Sequence, residues 1–148
     1  MSRFKMMCVG LFLILFTLYS ISMASDYQNI ENVQFLGNHD GDTIKVNITG
    51  YPDIIGKKID IRVLGVDTPE INGKCDNEKA LAHKAQAFVY GELSKAKKID
   101  IVSVDRDKYF RIVGDVVYDG KSLTKELLSG GYGYPYDGGT KEHPWCEK

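Results

Sequence analysis

In the middle of the chain, residues 59–70 read IDIRVLGVDTPE. Apolar and polar side chains alternate over residues 59–64, as they do in a β-strand that is buried on one face. Arg62 lies inside the alternating part, and the acids Asp67 and Glu70 follow where the extended run stops. The stretch therefore predicts a half-buried strand that carries an arginine and is followed at its end by two carboxylates.

Working outward from this strand, the same period of two predicts four more strands, at residues 33–36, 43–48, 99–104 and 112–118. Gly and Pro punctuation separates the first three strands and predicts that they form a meander. Five strands with a helix inserted after the third predict an α+β, mainly β domain: a small five-stranded Greek-key barrel of the oligonucleotide-binding (OB-fold) type, capped by helices. The alternation alone also allows an open α+β sheet.

The helices are predicted from a change of period. From Asn77, apolar residues recur every three to four positions, so a helix should run to about Lys95 with Asp76 or Asn77 as its cap. A second, short helix is predicted over residues 123–129, closed by two glycines. The tail at residues 132–139 is too rich in glycine to predict a regular element.

The N-terminus has the pattern of a targeting segment. Arg3 and Lys5 precede an apolar run at residues 6–21, and small residues follow up to Ala24. We therefore expect residues 1–24 to be a secretory signal peptide and residues 25–148 to be one domain, secreted or periplasmic. The alternative is an uncleaved membrane anchor, because residues 6–25 form an uncharged run of 20 residues. In either case membrane contact would involve only the N-terminal segment.

Composition limits how the domain could bind a polyanion. Of the 19 basic residues, 17 lie in residues 25–148 against 20 acids, which excludes a polybasic binder. Attraction to a polyanionic substrate would need a local patch together with a bound metal ion. The same segment keeps two cysteines, Cys75 and Cys146, which are expected to pair in an oxidising compartment and to stay as free thiols in the cytosol.

Two further stretches hold polar residues that could do chemistry. Residues 40–43 read DGDT and residues 107–111 read DKYFR. Crowded carboxylates resist ionisation, so these acids either surround a cation or are separated and solvated. An Asp-Gly pair is also ordinary turn chemistry, and Arg62 could simply pair with Asp60.

Taken together, residues 40–43, 62–70 and 107–111 resemble the three signature segments of the staphylococcal nuclease (thermonuclease) family, in an exported bacterial member. The similarity runs from about residue 33 to residue 131. It implies an OB-fold-type barrel and a calcium-dependent phosphodiesterase that hydrolyses DNA and RNA with little sugar specificity, leaving 3′-phosphate ends. It implies no protein partner, and a monomer is expected.

By matching position, the resemblance implies that Asp42 and Asp67 are carboxylate ligands of Ca²⁺. The backbone carbonyl of Thr68 would lie beside them, and Asp40 would hold metal-bound water in the outer shell. Calcium prefers such oxygen ligands and tolerates irregular coordination.

The resemblance also implies the catalytic and substrate-binding groups. Glu70 would orient or deprotonate the attacking water, and Arg62 and Arg111 would grip the scissile phosphate, for which paired guanidinium donors are suited. Tyr109 and Lys108 would lie along the nucleotide-binding face. Tyr134 would either stack on bases or pack the tail onto the barrel.

Two departures from the family pattern affect these expectations. Phe110 stands where the family usually has a glycine, and the chain ends soon after the short helix. We expect a Cys75–Cys146 disulfide to tie the tail to the rim of the active site instead. Two rivals remain: a catalytically weak OB-fold nucleic-acid-binding module, and an envelope-anchored structural protein.

Overall fold

The computed structural model of the protein describes residues 27–141 and 145–146. The predicted signal peptide at residues 1–24 lies outside these residues. Within them no helix is long and apolar enough to cross a membrane. The strands are β1 (Gln34–Asn38), β2 (Thr43–Asn47), β3 (Ile59–Val63), β4 (Val66–Asp67), β5 (Ile99–Arg106), β6 (Ile112–Tyr118), β7 (Lys121–Ser122) and β8 (Tyr134–Pro135). The helices are α1 (Asp53–Gly56), α2 (Asp76–Leu93) and α3 (Leu123–Ser129).

The main sheet has the strand order β1-β2-β3-β6-β5, with β7 added beside β6. The predicted meander of β1, β2 and β3 is antiparallel, and β3 pairs with β6 in parallel. Residues just before β1 bond to β5: the Ile30 and Ile101 backbones exchange hydrogen bonds of 2.9 and 2.8 Å, and the Val33 amide donates to the Ile99 carbonyl at 2.9 Å. These bonds join the two outer strands of the sheet, and the predicted OB-like α+β fold is confirmed.

One hydrophobic cluster lies between the inner face of this sheet and the two longer helices. From the strands it takes fully buried Ile44, Val46, Ile61, Ile101 and Val116, and from the helices Val89, Leu93, Leu123 and Leu127. The apolar positions of the period-two strands and of the two longer helices therefore meet in a single core. Each large aliphatic side chain removed from water in this way contributes about 1.5–3 kcal/mol.

The structure corrects several element boundaries. The N-cap of α2 is Cys75, whose Sγ accepts a hydrogen bond from the Glu78 amide at 3.4 Å, rather than Asp76 or Asn77. β5 extends to Arg106, beyond the predicted residue 104, and its register with β6 shifts between Val102 and Asp105. The helix α1 was not predicted, because four residues give no readable period.

The prediction of no regular element in the tail was wrong. β8 pairs with β4, with Tyr134 opposite Asp67 and Pro135 opposite Val66. The free edge of β4 supplies hydrogen-bond partners that the local glycine signal does not reveal. Beyond this strand, Cys146 forms a disulfide with Cys75, with the two Cα atoms 5.9 Å apart.

We expect the Cys75→Ser/Cys146→Ser double variant to lose about 2–4 kcal/mol of unfolding free energy, because the bond closes a long loop in the unfolded chain. The two cysteines are 71 residues apart. Urea denaturation monitored by circular dichroism measures the loss. Adding a dithiol reductant should lower the stability of the wild type and leave the double variant unchanged, and equal stability of the two oxidised proteins would contradict the expectation.

Candidate active site

The carboxylates predicted to bind a metal ion lie on turns at one end of the barrel. Asp40 and Asp42 are on the turn between β1 and β2, and Asp67 ends β4; all three are buried. The Thr68 amide donates to Asp42 Oδ2 at 2.7 Å, which joins two turns that are 26 residues apart in sequence. The Asp42 amide donates to Asp40 Oδ1 at 3.1 Å. The fold therefore gathers these acids instead of leaving them separated and solvated.

Arg62 is buried among these acids. Its two terminal nitrogens lie 2.8 Å from Asp42 Oδ1 and 3.5 Å from Asp67 Oδ1. It also donates to the Asp42 backbone carbonyl at 3.2 Å. The alternative pairing with Asp60 does not occur, because Asp60 is paired with Lys45.

Gly41 is required by close packing. A Cβ at this position would lie 2.7 Å from Thr68 Cγ2 and 2.8 Å from the Ala85 Cβ of α2. The turn that carries Asp40 and Asp42 is thus pressed against both the end of β4 and a helix. The glycine in DGDT lets the backbone approach this closely, which is more than ordinary turn chemistry requires.

Arg111 belongs to the loop that precedes β6. Asp107 Oδ1 accepts the backbone amides of Tyr109 at 2.8 Å and Arg111 at 3.0 Å, and Asp107 Oδ2 accepts Arg111 Nε at 2.7 Å. Although burial acts in the opposite direction, these hydrogen bonds lower the pKa of Asp107. Phe110, between them, has φ +63° and is 80% exposed.

The parallel pairing of β3 and β6 brings the two arginines to the same region. Arg62 is opposite Val113 in the register of this pair, two residues after Arg111. Both arginine side chains line one cleft of about 620 Å³. Five more predicted site residues line it as well: Asp40, Asp42, Glu70, Lys108 and Tyr109. Asp67 and Thr68 contact the cleft residues from the buried side.

Tyr134 is not in this cleft. Its ring lies 4.8 Å from the ring of Trp145, and the two residues line a separate groove. This is the packing alternative, and the predicted stacking of Tyr134 on substrate bases has no support in the structure. Among the tail residues that the structure describes, the tyrosine that reaches the cleft is Tyr136, whose ring centre is 5.7 Å from the guanidinium carbon of Arg62.

Sequence reasoning missed Lys141. Its Nζ lies 2.7 Å from Asp67 Oδ1 and 2.9 Å from Glu70 Oε1. Partial burial disfavours its charge, but the bonds to the two carboxylates outweigh this and raise the pKa of Lys141. No local pattern marks this lysine, because its partners are about 70 residues away. His39 also lines the cleft.

The donor set fits a hard divalent cation. Burial raises the pKa of Asp42 to about 6 despite the opposing charge of Arg62, and Asp40 and Asp67 add to the rise. Thr68 Oγ1 is buried and finds no hydrogen-bond partner among the described residues, which adds another oxygen beside the carboxylates. An all-oxygen set with excess negative charge is what calcium binds.

The carboxylate oxygens are nevertheless not drawn into one tight group. Over the described ranges, the group of three such residues (acidic, His or Cys) whose donor atoms come together is Cys75, Glu78 and Cys146, with these atoms within 4.8 Å of one another. Both sulfurs there belong to the disulfide, so this group offers no thiolate ligand. In the cleft, the cations of Arg62 and Lys141 bridge the acids instead.

Comparison with known proteins agrees with this geometry. A family model described as "Staphylococcal nuclease homologue" matches residues 60–143. This range includes Arg62, Asp67, Glu70 and Arg111, whereas Asp40 and Asp42 precede it. The chain is also 28% identical over 121 residues to the "Probable staphylococcal-like nuclease CAN1" of Oryza sativa subsp. japonica. The alignment covers 76% of this chain and 32% of the plant protein, so the chain spans about a third of that relative's length.

We expect Gly41→Ala to destabilise the fold by about 1–3 kcal/mol, because the added methyl overpacks the contact with Thr68 and Ala85. Urea denaturation measures the change. Gly91→Ala is the matched control: Gly91 lies in α2 with nothing within 4 Å of an added Cβ, so its stability should stay equal or rise. Similar losses in both variants would contradict the packing argument.

Phe110→Gly should raise the unfolding free energy by about 1 kcal/mol, because a left-handed backbone is costly for a residue with a Cβ. Phe110→Ala removes the same exposed ring but keeps the Cβ, and it should leave the stability near that of the wild type. Thermal unfolding of the three proteins separates backbone strain from loss of the ring. Equal melting temperatures for the Gly and Ala variants would show that the strain is negligible.

Proposed function

The chain belongs to the staphylococcal nuclease homologue family, and from that premise we propose that it is a calcium-dependent phosphodiesterase that cleaves DNA and RNA. The observation that carries the proposal is the shared cleft: buried carboxylates joined by the Thr68–Asp42 bond lie beside Arg62, and Arg111 lines the same space. Acids able to hold a cation and two guanidinium groups able to hold a phosphate thus border one volume of about 620 Å³.

Asp42, Asp67 and the Thr68 carbonyl would hold the calcium ion, with Asp40 supporting bound water. When bound, the ion would neutralise charge on the phosphodiester and favour attack at phosphorus. Asp40 is suited to the supporting role because its Oδ1 already accepts the Asp42 amide and so fixes the turn. Because these acids are buried close together and repel one another, binding of a cation among them would be favourable.

Arg62 and Arg111 differ in how firmly their side chains are held, so they are suited to different roles. Arg62 is held by two carboxylates and a backbone carbonyl, so its position is fixed before substrate arrives. Arg111 is held by Asp107 through Nε, and in the described residues neither of its terminal nitrogens has a hydrogen-bond partner. Those nitrogens can donate to a phosphate oxygen as negative charge develops in the transition state.

Glu70 is placed to act on water. Its side chain is 50% exposed, lines the cleft and has Lys141 as its partner. A carboxylate there can orient or deprotonate a water molecule that approaches the phosphorus. Tyr109, 68% exposed at the rim, offers a ring to the nucleotide, and Lys108 adds local positive charge to a chain of net charge −1.

A second function is favoured by the ion pairs themselves. Arg62 and Lys141 already pair with Asp42, Asp67 and Glu70, and such a site could bind nucleic acid with little catalysis. Export and a monomeric state also belong to the proposal. The Cys75–Cys146 disulfide supports a secreted or periplasmic location, because such bonds persist in oxidising compartments.

The protein purified after export should degrade plasmid DNA and RNA with calcium and stop when a chelator is added. Arg111→Lys and Glu70→Gln should each lower kcat/KM by about a hundredfold or more, because each removes a contact that strengthens in the transition state. Arg106→Lys is the matched control: it is an arginine near the same loop that does not line the cleft, and it should change the rate by less than about threefold.

The assay distinguishes the metal role, the residue assignment and the binding module. Degradation that ignores the chelator would contradict the metal role. Wild-type turnover in both site variants would contradict the residue assignment. Binding of DNA without cleavage under any divalent ion would favour the binding module.

A further inference from the structure

The tail of the chain carries a positive charge into the proposed cation site. We propose that Lys141 is an internal competitor of the divalent ion: it occupies Asp67 and Glu70 until the ion displaces it, so the tail sets the affinity for the ion. The inference rests on the proposed calcium site. It concerns a residue to which the resemblance gives no role.

The contacts of Lys141 are those that a competitor needs. Its ammonium bridges Asp67 Oδ1 at 2.7 Å and Glu70 Oε1 at 2.9 Å. One of these carboxylates is a predicted metal ligand, and the other is the predicted water-orienting group. A divalent ion at Asp67 would draw on the same carboxylate that Lys141 holds, so the ion and the ammonium would compete for it.

Arg62, which among the described residues also pairs with Asp67, cannot act as this competitor. Arg62 is 9% exposed in its side chain and is fixed by Asp42, Asp67 and backbone carbonyls. Lys141 is 45% exposed and joined to the rest of the site through flexible methylenes. Because the ammonium is half-exposed, it can return to water when it is displaced, and a divalent ion with several oxygen ligands binds more firmly than one ammonium.

Anchors on both sides of Lys141 in sequence keep it near the acids. On one side, β8 pairs with β4, and the Tyr136 amide donates to the Gly65 carbonyl at 3.1 Å. On the other side, Cys146 is bonded to Cys75, and Asn77 donates to the Trp145 carbonyl at 2.7 Å. Such tethering raises the effective concentration of the ammonium at the carboxylates.

The size of the effect follows from the occupied fraction. If Lys141 holds the carboxylates in nine of ten molecules, the ion finds a competent site in about a tenth of them, and its apparent Kd rises about tenfold. Loosening the tail should recover part of this factor without any change of charge.

Calcium titration calorimetry of the full protein, purified after export, tests the proposal. We expect Lys141→Met to bind calcium about tenfold more tightly than the wild type. Lys141→Arg, which keeps a cation on the tail, should stay within about threefold of the wild type. Cys75→Ser/Cys146→Ser should bind about threefold more tightly, because the tether is cut while the charge is retained.

The matched control is Lys45→Met. Lys45 lines the same cleft and is also 45% exposed, but it pairs with Asp60. Its removal changes the cleft by the same single charge, and the calcium Kd should change by less than about twofold. Circular dichroism checks that each variant is folded.

An equal Kd for the wild type and Lys141→Met would overturn the proposal, as would a shift in Lys45→Met as large as that in Lys141→Met. If the wild type cleaves nucleic acid with calcium but Kd is insensitive to Lys141, only this inference fails. If the folded wild type and all variants bind no calcium, the proposed calcium site fails together with it.

Discussion

Burial of negative charge at one end of the barrel is the constraint on which the site depends. Asp40, Asp42 and Asp67 are all nearly inaccessible to solvent, and the buried cation among them is Arg62. Burying ionised groups costs several kcal/mol each unless they are paired and hydrogen-bonded. The structure meets part of this cost with the amides of Thr68 and Asp42, which donate to carboxylates. The part of the burial cost that is not offset raises the pKa of Asp42. An additional positive charge would therefore stabilise the ionised site.

The fold supplies this arrangement through one unusual strand pair. An antiparallel meander alone would leave the loop before β6 unrelated to Arg62. The parallel pairing of β3 and β6 instead starts β6 beside β3, so that residues 107–111 reach the cleft. Asp107 then fixes that loop through both backbone and side-chain bonds. Close contact at Gly41 fixes the opposite wall. The walls of the cleft are thus set by backbone pairing and packing before any ligand arrives.

The main strands, the longer helices and most of the cleft residues could be predicted from the sequence, because each depends on a pattern of neighbouring residues. Alternation gave the main strands, and the bounds of α3 agree with the predicted residues 123–129. The parts that were missed depend on contacts distant in sequence. Three tyrosines in the tail look alike, yet Tyr132 stacks on Phe88 at 4.5 Å, Tyr134 packs on Trp145 and Tyr136 lies by Arg62. No period or propensity distinguishes these environments, so the sequence could not tell which tail tyrosine lines the cleft. Lys141 could not be predicted for the same reason, because its partners Asp67 and Glu70 are distant in sequence.

Competition between Lys141 and a divalent ion at Asp67 also acts in the opposite direction, from the ion to the tail. If an ordered tail weakens ion binding, thermodynamic linkage requires that a bound ion loosens the contact of the tail by the same factor. Lys141 would then lose both carboxylate partners, and Glu70 would be free for its proposed role on water. The Cys75–Cys146 bond would keep the released segment attached at the rim, so that it can return when the ion leaves. The unpaired ammonium would remain close to the cleft, where a phosphate is the next available anion.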